Sequence, residues 1–151
     1  MKKQKEIIGA IVEIPIKDYF VYAQILQRGL YCFFDYKAKC PITNPSTLIS
    51  APVMFIICVY PQMVNTEVWK VVGDIPIRDD LKILPNMYMQ DNITKEVSLY
   101  HTMTGEITPS TESEISGLEC CAVWNKEHIE DRIIAYYDNQ PCIWLDALKI
   151  K

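Results

Sequence analysis

The side chains able to do chemistry are few. There are two histidines, His101 and His128, and six cysteines, Cys32, Cys40, Cys58, Cys120, Cys121 and Cys142. Two runs of adjacent carboxylates, Asp79-Asp80 and Glu130-Asp131, complete the set. A zinc site needs three or four ligands within reach. His101 has no partner at motif spacing. The acidic neighbours of His128 (Glu127, Glu130 and Asp131) fall in the first turns of an expected helix, where they suit the positive end of its dipole. No C-x-x-C spacing occurs, and vicinal Cys120 and Cys121 in a strand would face opposite sides. A Cys–His nucleophile pair meets in space rather than in sequence, so a cleft holding Cys58, Cys120 or Cys121 against His101 or His128 would be its mark. There is no G-x-S-x-G elbow, no phosphate-cradling glycine loop and no H-E-x-x-H, and glycines total only 5. The reading is of a chain with no catalytic residue, no metal and no cofactor.

What would position these groups is a chain of 151 residues, about one domain's worth. Hydrophobic residues make up 50% and charged residues 23%, enough apolar matter for a core without disulfide or metal. A single domain over 1–151 is expected, with residues 1–6 frayed. No secretory signal precedes the cysteines, which are read as free thiols in a reducing, cytoplasmic setting. No apolar run approaches the roughly 20 residues of a membrane span.

The net charge is −4. Setting aside Lys2, Lys3 and Lys5 leaves twelve basic residues against nineteen acidic ones, a body at −7. Such a body repels phosphate, which disfavours nucleic acid as a partner, and suits a basic one. Between Glu106 and Asp131 there are seven acidic residues and one basic residue, Lys126. Helix design accounts for part of this excess, and an anionic face for a cationic partner for the rest.

The first third reads as strands: Gly9–Ile16, Tyr19–Gln27 after a Lys17-Asp18 turn, and Leu30–Asp35 after Arg28-Gly29. A loop covers 37–50. The continuous apolar run within Pro52–Tyr60 predicts a central strand covered on both faces. Further strands are expected at Trp69–Ile75, with Gly73 a bulge or tight approach, and at Met87–Gln90 and Val97–His101. Thr111 with Glu114 forms a capping-box pattern that predicts a helix stopping near Gly117. Cys121–Trp124 reads as a short strand, Lys126–Tyr137 as an amphipathic helix, and Cys142–Ile150 as a final strand. The fold class is α+β: a mainly antiparallel, strongly bent sheet or partly closed small barrel, with one or two helices toward the C-terminus.

Two stretches resemble a known family. Val68-Trp69-Lys70-Val71-Val72-Gly73-Asp74-Ile75-Pro76 is similar to the W-x-x-x-G-x-x-P core of immunity protein 26, from bacterial polymorphic toxin systems. Ala122-Val123-Trp124-Asn125-Lys126-Glu127-His128-Ile129-Glu130-Asp131-Arg132 resembles its C-terminal signature. The resemblance spans about residues 8–138 and leaves the tail 139–151 outside. It implies a cytosolic bacterial protein that neutralises a cognate toxin domain by binding it, with no catalytic residues to carry over. The motif residues Trp69, Gly73, Pro76, Trp124, His128 and Arg132 are read as holding the fold. Asp79, Asp80, Glu112, Glu114, Glu130 and Asp131 are read as the acidic rim that meets the toxin. The competing readings are a small-ligand or peptide-binding module built on Tyr19, Phe20, Tyr22, Tyr31, Phe33 and Phe34, and an unrecognised enzyme.

Overall fold

Strand-forming sequence broken by two-residue turns makes a meander, and the computed structural model, which describes residues 4–66 and 68–151, begins with one. β1 (Ala10–Ile16) turns through Lys17-Asp18 into β2 (Tyr19–Gln27), with Ile16 opposite Tyr19. Gly29, at φ +75, supplies the left-handed residue that turns β2 into β3 (Leu30–Phe34). A loop containing a short 3-10 turn at Pro45–Leu48 leads to β4 (Val53–Val59). A single helical turn α1 (Gln62–Asn65), strand β5 (Lys70–Asp74) and a second helical turn α2 (Asp79–Lys82) follow. The C-terminal half supplies β6 (Met87–Gln90), β7 (Val97–Tyr100), β8 (Ile107–Pro109), β9 (Glu119–Cys120) and β10 (Val123–Trp124). Helices α3 (Lys126–Asp138) and α4 (Ile143–Ala147) end the chain.

These elements are α+β and divide into two compact units. The first holds the chain up to Lys82 together with Val123–Lys126. Its six-stranded sheet runs β10-β4-β3-β2-β1-β5 and is open: β5 and β10 are its edges, and no pairing between them closes a barrel among the described residues. The strands buried along their length are β2 and β3, at the middle of the order. β4 is not the central strand. Its burial alternates, with Phe55, Ile57 and Val59 inside and Met54, Ile56 and Cys58 half-covered. Apolar content alone therefore overstated how much of β4 is covered.

Cross-strand register explains the core. Tyr31 and Phe33 of β3 oppose Ile57 and Phe55 of β4, so they share one face of the sheet. Trp69 lies against both, at ring distances of 6.3 and 6.0 Å. The other face carries Ile11, Gln24 and Cys32 in one cross-strand row. Register slips between Ile11 and Val12 against β5, and Gly73 sits at that irregularity. A Cβ there would come 2.7 Å from the Pro45 ring, so glycine is required for this close approach.

The second unit comprises Ile83–Ala122 and Glu127–Lys151. Its sheet runs β8-β7-β6-β9, with β9 parallel to β6 and the other pairs antiparallel. Two expectations fail here. Residues 112–117 form turns, not a helix, although the Thr111 hydroxyl does accept from the Glu114 N–H at 3.3 Å. Six residues with one buried apolar side chain, Ile115, give too little burial to offset helix nucleation. The tail is helix α4 instead of a strand, because Trp144 stacks on His128 and donates to Asp131.

The N-terminus also departs from expectation. Residues 1–3 lie outside the described residues, but Gln4 and Glu6 are held. The Gln4 amide donates to Val64 O and Trp69 O and accepts from Val71 N–H, and the Glu6 carboxylate accepts from Gly29 N–H and the Tyr31 hydroxyl.

Candidate functional site

Among the described residues, no group of three or more His, Cys, Asp or Glu is placed to hold a metal ion. Cys32 is buried in the first unit, and burial pushes its thiol up to about 12. Burial also raises Cys120 and Cys121. The thiolate is the nucleophile, so raised thiols oppose nucleophilic chemistry at these positions. His101 Nε2 shares a hydrogen bond with Thr108 Oγ1 at 2.9 Å, across the β7–β8 connection. His128 lies flat on Trp144, with ring centres 3.6 Å apart and 16° between planes.

The aromatic residues of the first strands mostly build the core. Tyr22, Tyr31, Phe33 and Phe34 are buried in the core of the first unit. Tyr22 donates to Glu13 at 2.8 Å and accepts from the Ile42 N–H. Burial, the first cause, pushes its phenol up to about 12, and the Glu13 carboxylate adds to the rise. Tyr19 and Phe20 are half-buried.

Of the motif residues, Trp69 is 1% exposed and Trp124, in β10, 4%. Pro76 is exposed. Arg132 is buried on α3, and its guanidinium grips Glu119 of β9 with two bonds of 2.9 and 2.6 Å. Such a paired fork satisfies a buried charge that would otherwise be costly.

The six carboxylates expected at a rim are divided between the units. Asp79 and Asp80 belong to the first, on α2. Their charge is already answered: Asp79 pairs with Lys82 at 3.0 Å, and Asp80 takes two bonds of 3.0 and 3.1 Å from Arg78. The same guanidinium donates to the carbonyls of Ile49 and Ala51, so this pair clamps the loop ahead of β4. Sequence reading missed Arg78. The signal was present, since a lone arginine two residues from an aspartate suits a local fork.

Glu112, Glu114, Glu130 and Asp131 all belong to the second unit. Glu112 and Glu114 share the exposed turn after β8, and Glu130 and Asp131 are neighbours on α3. Glu114 accepts from the Ser110 hydroxyl at 3.2 Å and Asp131 from the Trp144 indole at 2.7 Å, both neutral donors that leave the negative charge in place. The division also separates charge. The first unit carries eleven basic residues against eight acidic, and the second four against eleven. The first is therefore at +3 and the second at −7, so the acidity of the chain resides in the second unit.

Comparison with known proteins gives one family match. A family model described as Immunity protein 26 matches residues 7–99. The matched span includes Trp69, Gly73 and Pro76, while the run from Ala122 to Arg132 lies beyond it. Neither the curated proteins nor the solved structures yield a match.

Proposed function

The chain belongs to the immunity protein 26 family, and on that premise we propose that it binds a cognate toxin domain and neutralises it by covering the toxin's working surface. The family match carries this reading. The second unit supports it and indicates the partner: a body at −7 recruits a basic protein by long-range attraction and turns away acidic competitors. Glu112, Glu114, Glu130 and Asp131 form the rim in this reading. Asp79 and Asp80 contribute less, because each is held by a cation of its own unit. A contact of about 800 Å² per partner, anchored by a few desolvated side chains, is enough for tight inhibition.

In this reading the chain needs no catalytic residue, cofactor or metal, and the raised thiols fit that role. Trp69, Gly73, Trp124 and Arg132 build the scaffold. The action takes place in the bacterial cytoplasm, against a protein and not a nucleic acid or membrane. No helix among the described residues is long and apolar enough to cross a membrane.

The test is kinetic. The four second-unit carboxylates are replaced by lysine, and association with the cognate toxin domain is followed by stopped flow at low and high salt. The wild-type association rate should fall as salt rises, and the quadruple variant should associate about tenfold more slowly at low salt. Equal, salt-independent rates would remove the electrostatic part of the proposal.

A further inference from the structure

A hollow of about 330 Å³ opens in the second unit, lined by Tyr88, Ile115, Leu118, Ile150, Glu112 and Lys149, with the Ser116-Gly117 backbone at its edge. Its walls are apolar and polar in about equal measure. Tyr88 is fixed there, with its hydroxyl donating to Leu148 O at 2.6 Å, and Ile115 is 2% exposed. The two charged groups are in unlike states. Lys149 is paired with Asp146 at 2.9 Å, whereas Glu112 is an exposed carboxylate with neither ion pair nor hydrogen bond among the described residues.

We propose that this hollow is the anchor site for one arginine side chain of the partner. The inference rests on the immunity reading and names the chemistry that the surface accepts. An arginine carries a three-carbon apolar stem and a charged planar head. The stem would lie on Leu118 and Ile150, and the head would meet Glu112. The fork of the guanidinium matches a carboxylate with two parallel bonds. The unit's charge of −7 favours a cation there, and the pairing of Lys149 with Asp146 weakens the one local repulsion. Arginine is also among the residues that most often anchor interfaces.

The first arm of the test uses N-acetyl-arginine methylamide as the probe and backbone amide NMR of the full chain as the readout. Shifts should concentrate at Ile115–Leu118 and Ile150. The neutral isostere N-acetyl-citrulline methylamide should bind at least fivefold more weakly. Glu112→Gln should remove the difference between the two, Lys149→Gln should tighten the arginine probe, and Ser116→Phe should fill the hollow and abolish both. All three substitutions sit at exposed positions, so folding is not at stake. Shifts elsewhere, or equal affinity for the two probes, would overturn the proposal.

The second arm uses the toxin domain. Glu112→Gln should weaken binding by about tenfold. If the wild-type chain binds the toxin and neither Glu112→Gln nor Ser116→Phe changes affinity, the anchor is refuted while the immunity reading stands. If the wild-type chain does not bind the toxin, the immunity reading fails, and the probe arm still decides whether the hollow accepts an arginine.

Discussion

Replacing Trp69 separates a scaffold role from a contact role. The side chain is 1% exposed, so almost none of it is available to a partner. It packs on Tyr31 at 6.3 Å and edge-on to Phe33 at 6.0 Å, with 82° between the rings. Removing a buried tryptophan to alanine costs about 3–5 kcal/mol, through lost burial and the cavity left behind. The two ring pairs account for about 0.5–1.5 kcal/mol each within that loss. Phenylalanine should cost less, about 1–2 kcal/mol, because it keeps an aromatic ring against Tyr31 and Phe33. It also surrenders no hydrogen bond to the described residues, among which the buried Trp69 Nε1–H has no acceptor. With a urea slope of about 2 kcal/mol per molar, the alanine variant should unfold about 2 M earlier and the phenylalanine variant less than 1 M earlier. Far-ultraviolet dichroism in urea reads both, and calorimetry with the toxin domain reads the affinity of the folded protein. Near-wild-type stability of the alanine variant would refute the packing argument. A phenylalanine variant that folds normally but loses the toxin would place Trp69 at the interface.

Three more outcomes follow from single sites. Gly73→Ala should destabilise the first unit by about 1–3 kcal/mol, because its Cβ would meet the Pro45 ring at 2.7 Å, and chemical denaturation checks it. Asp91 accepts from the N–H groups of Ile93 and Thr94, bonds that hold its carboxyl below the ordinary value of 3.8. Its contribution to the β6–β7 turn should be present above pH 3.8 and lost as pH falls through the lowered value; amide exchange of that turn in wild type and Asp91→Ala should converge there. Cys40 is exposed and Cys32 buried with its thiol pushed up to about 12, so alkylation at pH 8 should modify Cys40 first and Cys32 only on unfolding, as mass spectrometry would show.

The first half of the fold is legible in the chain because its signals are local. Alternation and β-branched residues mark β1 to β3, Lys17-Asp18 and Arg28-Gly29 mark the turns, and Pro61 ends β4. Gly73 announces the irregularity of β5. What fails depends on partners distant in sequence. The tail becomes α4 through Trp144, whose partners His128 and Asp131 are more than a dozen residues back. Gln4 is fixed by groups more than sixty residues ahead. The second sheet, whose strands have two to four residues, is too short to separate by pattern from the first. At the candidate site, sequence identified the acidic residues but not their state. Asp80 looks like Glu112 until Arg78 is seen to bind one and, among the described residues, nothing the other.

On the proposed function, a folded, unreactive surface is enough to inhibit the toxin. The direct measurement is the activity of the cognate toxin domain, titrated with the purified chain. Stoichiometric loss of toxin activity is expected, with the toxin recovered chemically intact and active after the complex is dissociated. Undiminished toxin activity at saturating chain, or a toxin left covalently altered, would contradict it.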